Sequence, residues 1–160
     1  MKIIALAAAF GVMATAAFAD SHEMAAPTGD AEAGQAIFDR NCVACHVVVN
    51  DEGETLAGRN ARTGPNLYNV TGRGIGAAED FNYSDAIAAL NEQGEQWTEE
   101  NFVGYVQDPT GWLREITGDN RARGRMAFQL RSEEDAANVY AFLASLAPAA
   151  DTEEEASADN

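Results

Sequence analysis

The stretch Asn41–Asn50, "NCVACHVVVN", holds both cysteines of a 160-residue chain and one of its two histidines. Two thiols three positions apart, followed at once by an imidazole, fit three chemistries: a disulfide switch, half of a zinc site, or the anchor of a covalent haem. The choice decides the fold, because only the last brings a large apolar body into the interior.

Inventory separates the three. A structural zinc site needs four Cys or His ligands, and beyond Cys42, Cys45 and His46 only His22 remains, in a small-residue stretch near the start. A thioredoxin-like redox pair belongs in a βαβ setting, and the chain has no such pattern. A structural disulfide is chemically feasible but leaves the adjacent His46 and the loop-rich composition unexplained. C-x-x-C-H is the attachment signature of c-type haem. The two thiols of one chain turn add to the two vinyl groups of the porphyrin, and His46 is then held beneath the iron as its proximal ligand.

Length and charge set the frame. One domain of this size can bury a single core. Residues 1–19 read as a secretory signal: Lys2, an apolar and small-residue run from Ile3 to Phe18, and Ala17-Phe18-Ala19 as the cleavage pattern. The run is short and Ala-rich against the ~20 strongly apolar residues of a spanning helix, so the expected destination is the periplasm, with no stable membrane insertion. Loss of the leader removes Lys2, the only lysine, and leaves nine arginines against 26 acids, a net charge of −17. Such a balance keeps a protein soluble and argues against nucleic acid as a partner, since phosphate binding needs clustered cations.

The mature chain divides into a flexible lead-in (20–29), a folded domain (30–148) and an acidic disordered tail (149–160), which has five acids among its last ten residues. Asp30 reads as an N-cap, with Ala33, Ile37 and Phe38 as a helical face ending before the cysteines. Val47 to Gly76 carries six glycines and Pro65 without helical period, a loop long enough to surround something. Ser84 caps a short helix through Leu90. Thr98 opens a better one whose Phe102, Tyr105 and Val106 line one face before Pro109, and Asp108-Pro109 opens a further turn through Leu113. Ser132 and Asp135 form a capping box for a last helix with Val139, Phe142, Leu143 and Leu146 on one side. No convincing strand is present. About five short helices joined by glycine-rich loops bury little apolar surface for their length, and a buried cofactor would supply the missing core.

A haem of this kind takes His or Met as its second axial ligand. After the leader the chain offers His22, Met24 and Met126. The first two lie in the lead-in, so Met126, in "RGRMAFQL", is the expected ligand. With both axial positions filled the iron has no free site for a substrate, and the expected function is electron transfer rather than enzymatic catalysis.

The segments "GQAIFDRNCVACH" (34–46), "RTGPNLYNVTGR" (62–73), "FNYSDA" (81–86), "WTEENFVGYVQDP" (97–109) and "RGRMAF" (123–128) together make the chain resemble the class I cytochromes c, and most closely the larger bacterial cytochrome c2 and cytochrome c550 kind. The resemblance covers Asp30 to Leu146. It implies an all-α class I cytochrome c fold around one covalently bound haem c. Gly34 and Phe38 would pack the first helix across the last through Phe142, and the Pro65 carbonyl would accept the imidazole N–H of His46. Arg73, Tyr83 and Trp97 would partner the haem propionates, Tyr105 the methionine sulfur, and Phe128 would shield the haem edge.

The family's docking lysines are absent. Arg114, Arg121, Arg123, Arg125 and Arg131 stand beside Met126 with only Glu115 and Asp119 among them, a surplus of three positive charges. This island suits redox complexes with an acidic docking face. The expected protein is a monomeric periplasmic monohaem carrier, working from a cytochrome bc complex to an oxidase or photosynthetic reaction centre. Its rivals are a haem enzyme or gas-binding protein with an open iron, and the dedicated acceptor of one periplasmic dehydrogenase.

Overall fold

Helix α1 (Ala31–Asn41) begins where Asp30 accepts a hydrogen bond from the Ala33 N–H, and it buries Gly34, Ile37 and Phe38. Ala33, expected on that face, is exposed instead. The face turns because Gly34 lies directly on α5: a Cβ at Gly34 would sit 1.9 Å from the Asn138 carbonyl oxygen. The Phe38 and Phe142 rings meet beside it, 5.4 Å apart. The computed structural model describes residues 25–147; the expected leader, His22 and Met24 of the lead-in, and the tail lie outside the described residues.

Four more helices follow: α2 (Asp85–Glu92), α3 (Glu99–Gln107), α4 (Pro109–Thr117) and α5 (Glu133–Ser145). The caps explain most of these starts. Thr98 accepts from Asn101 N–H, Asp108 from Gly111 N–H and Ser132 from Asp135 N–H. Ser84 sits at the N-cap of α2 but its side chain makes no cap bond. Helix α4 continues four residues past Leu113, to Gly118 in the left-handed conformation at φ 67°. Thr110 and Gly111, weak helix formers, conceal it in the sequence.

The expectation of no strand needs a small correction. Val48–Val49 (β1) and Thr55–Ala57 (β2) pair antiparallel, closed by a turn in which Asn50 Oδ1 accepts the Glu54 N–H at 2.8 Å. Two and three residues are too few to show an alternating pattern. The architecture is otherwise the expected one of five helices and long loops.

The lead-in is fixed near its end. The Thr28 N–H donates to Glu99 Oε2 at 3.0 Å and its hydroxyl donates to the same carboxylate, while the Asp30 N–H donates to Asn138 Oδ1 at 2.7 Å. Core side chains from α1, α3 and α5, including Phe38, Phe102, Tyr140 and Leu143, form one cluster with Ile75, Leu90 and Leu113. Each such burial stabilises by about 1.5–3 kcal/mol.

Candidate functional site

The C-x-x-C-H segment leaves α1 as a tight turn. The N–H groups of Cys45 and His46 both donate to the Cys42 carbonyl, at 3.0 and 2.9 Å. The chain then runs beside residues 64–67: Gly64 N–H donates to Cys45 O and Leu67 N–H to Val47 O. Asn66 locks the two segments, its side chain donating to Val49 O at 2.7 Å and accepting from Val49 N–H at 3.0 Å.

This zipper orients the imidazole. His46 Nδ1 lies 3.0 Å from Pro65 O, and a carbonyl can only accept, so Nδ1 carries the proton and Nε2 keeps its lone pair in the neutral ring. Burial pushes the His46 pKa below its usual value, with the Pro65 bond opposing. Gly64 is required here, because a Cβ would lie 2.3 Å from the His46 Cε1.

A cavity of about 320 Å³ opens beside this turn, within the roughly 300–1,000 Å³ of small-molecule sites. Cys42, Cys45, His46, Pro65, Arg73, Tyr83, Trp97, Tyr105, Met126 and Phe128 all line it. Every residue expected for the anchor, axial ligands and pocket therefore shares one wall system. Five segments carry them: the turn that follows α1, the 64–73 loop, the 81–84 segment before α2, α3 with its preceding Trp97, and the 118–131 loop.

Two polar atoms in this lining are left over. Arg73 donates through Nη1 to Tyr68 O and through Nη2 to Asn66 O, at 2.8 and 3.0 Å, yet its buried Nε has no partner. The buried Ser84 Oγ is likewise unpartnered. Orphaned buried donors are costly, and both belong to residues of the cavity wall. Together with the apolar lining, the thiols of Cys42 and Cys45, which are free, and a neutral imidazole, they fit a tethered, mostly apolar prosthetic group bearing anionic arms. Burial, then the neighbouring Cys45, pushes the Cys42 thiol up to about 11. No cluster of three or more His, Cys, Asp or Glu able to hold a metal is found among the described residues.

Aromatic residues form the far support. Trp97 stacks on Trp112 at 5.9 Å and meets Tyr105 at 5.1 Å, and Gly104 leaves room for Trp112, since a Cβ there would lie 2.6 Å from its Cδ1. Burial, then Tyr83, pushes the Tyr105 phenol up to about 12. An unfolded tyrosine ionises near ~10, so between those pH values the unfolded state sheds the proton first and stability falls as pH rises. In Tyr105→Phe, denaturant unfolding should lose less stability across that window. An identical loss in both proteins would mean that Tyr105 does not carry it.

The expected docking arginines divide. Arg125 lines the cavity, and Arg121, Arg123, Arg125 and Arg131 are exposed. Arg114 turns inward, its Nε donating to Ala122 O at 3.4 Å. Phe128, 42% exposed, is the large hydrophobic at the surface among the described residues. The sequence reading passed over Gly64, Asn66 and Ser84. The first two stand on either side of Pro65, so the "TGPN" run was the available signal; Ser84 was spent on a cap.

The family model described as Cytochrome c matches residues 31–147. The chain is 57% identical over 119 residues to cytochrome c2 of Rhodovulum adriaticum, covering 74% of this chain and 94% of the relative. It is 51% identical over 120 residues to cytochrome c2 of Cereibacter sphaeroides, covering 74% and 96%. The crystal structure of cytochrome c2 from Rhodobacter sphaeroides superposes with a TM-score of 0.70 at 51% identity, over 73% of this chain and 95% of that one.

Proposed function

This chain belongs to the cytochrome c family, and we propose that it carries single electrons in the periplasm between redox complexes that present acidic docking faces. The class I fold, one covalently attached haem c and the role of monohaem electron carrier come with the family. The residue assignments, partners and location are this reading's own. The observation that carries it is the convergence of Cys42, Cys45, His46 and Met126 on one apolar cavity that also holds two unpartnered polar atoms.

Cys42 and Cys45 would hold the haem through thioether bonds, and His46 and Met126 would ligate its iron. The haem supplies a one-electron ferric–ferrous couple, and a thioether ligand raises its potential. Pro65 fixes the imidazole ring through the Nδ1–H bond and raises its basicity. Arg73, Ser84, Tyr83 and Trp97 would meet the propionates, which would give the Arg73 Nε and Ser84 Oγ the partners they lack. Tyr105, on the same cavity wall as Met126, would donate to the methionine sulfur. Phe128 keeps water from the exposed edge, and the arginines around it steer and orient a partner. No helix among the described residues is long and apolar enough to cross a membrane.

The test is an optical spectrum of protein matured in a periplasm, ferric and ferrous, with and without carbon monoxide. Covalent c-type haem, the weak far-red methionine–iron band and no response to carbon monoxide are expected. Ready binding of carbon monoxide would replace the carrier with an open-iron enzyme or gas-binding protein. A second expectation concerns docking: Arg123→Glu with Arg125→Glu should slow reduction by an acidic-faced partner about tenfold at low salt, within the roughly 10–10³-fold range of steering. Stopped-flow rates unchanged by the reversal would move the docking face elsewhere.

A further inference from the structure

Trp97 is tied down at its backbone. Its N–H donates to Arg73 O and its carbonyl accepts from Gly72 N–H, both at 2.9 Å, and the Tyr140 hydroxyl donates to the same carbonyl at 3.2 Å. These bonds fix where the side chain starts, but none of them fixes the plane of the indole. Packing has to do that. The rings around it are Tyr105, tilted by 60° at 5.1 Å, Phe102, edge-on at 6.4 Å, and Trp112, stacked within 24° of parallel at 5.9 Å.

Trp112 differs from the other two in its place. Trp97, Phe102 and Tyr105 all line the cavity, whereas Trp112 stands behind them, half-buried on α4. Backbone fixes its own plane. Its N–H donates to Asp108 O at 2.9 Å, and its ring lies on α3 where Gly104 leaves room, since a Cβ there would come within 2.6 Å of Trp112 Cδ1 and 3.0 Å of Nε1. An edge contact with Tyr105, at 83° and 5.6 Å, closes a triangle of rings. Two corners face the cavity and the third backs both.

The phenol tip is also confined. A Cβ at Gly124, two residues before Met126, would lie 3.3 Å from the Tyr105 hydroxyl, so a swing of the Tyr105 ring moves its hydroxyl against the loop that carries Met126.

We propose that Trp112 is a positioning residue for the redox site, an inference that rests on the donor roles given to Trp97 and Tyr105 above. By backing both rings at once it sets the angle at which the Trp97 N–H meets the anionic arms of the haem and the Tyr105 hydroxyl meets the Met126 sulfur. Hydrogen bonds of this outer kind are one of the levers a protein has on a haem potential. Compensated negative charge and a sulfur that shares its lone pair with a donor both favour ferrous iron. Without the stacked indole the two rings relax into the vacated space, because a close-packed wall holds its neighbours only while it is filled.

The experiment compares holoprotein variants by redox titration and by urea unfolding. Trp112→Leu, which removes the flat face, should shift the ferrous-to-ferric ratio at a fixed applied potential about three- to tenfold toward ferric, tenfold being about 59 mV for one electron. Trp112→Phe keeps a ring that can stack and should restore the ratio to within about twofold. Gly104→Ala displaces the indole without removing it and should shift the ratio in the same direction, which keeps the test open if Trp112→Leu does not fold. Trp97→Phe with Tyr105→Phe should shift it as well, and adding Trp112→Leu to that pair should change it by less than about twofold, because Trp112 acts through those donors. A lower unfolding midpoint in Trp112→Leu with an unchanged ratio would make Trp112 packing alone and overturn the proposal; the donor roles stand if their own variants shift. The same shift with and without the two donors would overturn positioning through them. If Trp97→Phe with Tyr105→Phe leaves the ratio unmoved, the donor roles fall and the positioning role falls with them.

Discussion

Met126→Ala should abolish the weak far-red methionine–iron band, let carbon monoxide bind, and lower the reduction potential. The loop around Met126 is held on both sides, by Leu130 N–H donating to Val106 O at 2.8 Å and by Arg114 Nε donating to Ala122 O. No other methionine or histidine of the described residues, apart from His46, can replace it. With no replacement among the described residues, the iron should gain an open position. Axial ligands set haem potentials over about 0.8 V, and losing the thioether should cost on the order of 0.1 V or more of that range. Alanine also removes packing, since Met126 lies against the core. Met126→Leu keeps most of that volume without the sulfur, so the two variants should share the lost band and differ in unfolding midpoint. A retained band in either variant would remove Met126 as ligand.

Gly34→Ala should destabilise the haem-attached protein by about 2–4 kcal/mol, more than the usual 1–3 kcal/mol of core overpacking reaches at its lower end, and Gly34→Leu should not accumulate folded. The new Cβ would meet backbone, not a movable side chain, at 1.9 Å from Asn138 O and 2.5 Å from Asn138 C. α1 and α5 must then separate, and the Phe38–Phe142 contact beside them opens. Because α1 ends in the anchor turn at Cys42, the displacement also reaches the cavity wall. Urea unfolding measures the loss, and a change under about 0.5 kcal/mol, the size of an ordinary surface substitution, would mean the helices do not cross as closely as described.

Much of the site was legible one residue at a time. C-x-x-C-H needs no tertiary structure to be read, because its chemistry depends on adjacent positions of a single turn. Elimination singled out Met126 because methionine and histidine are scarce in the chain. Asp30, Thr98, Asp108 and Ser132 marked helix starts because a cap is a local hydrogen bond. Pro65, Arg73, Tyr83, Trp97, Tyr105 and Phe128 came from resemblance and not from periodicity, and all six line the cavity.

What the sequence determined by itself was therefore the local chemistry: the anchor turn, the scarcity of alternative ligands, the helix starts and the strong net negative charge. Tertiary structure decided what depends on distance across the chain. It turned the buried face of α1 from Ala33 to Gly34, because a backbone on α5 lay there. It made Gly64 and Asn66 the frame of the His46 ring, left Arg73 Nε and Ser84 Oγ without partners, turned Arg114 inward, and brought Arg73 and Arg125 from two distant loops to one cavity wall. Periodicity and spacing report on neighbours within a turn or two; steric fit, burial and summed charge depend on which segments meet, and only the folded chain settles that.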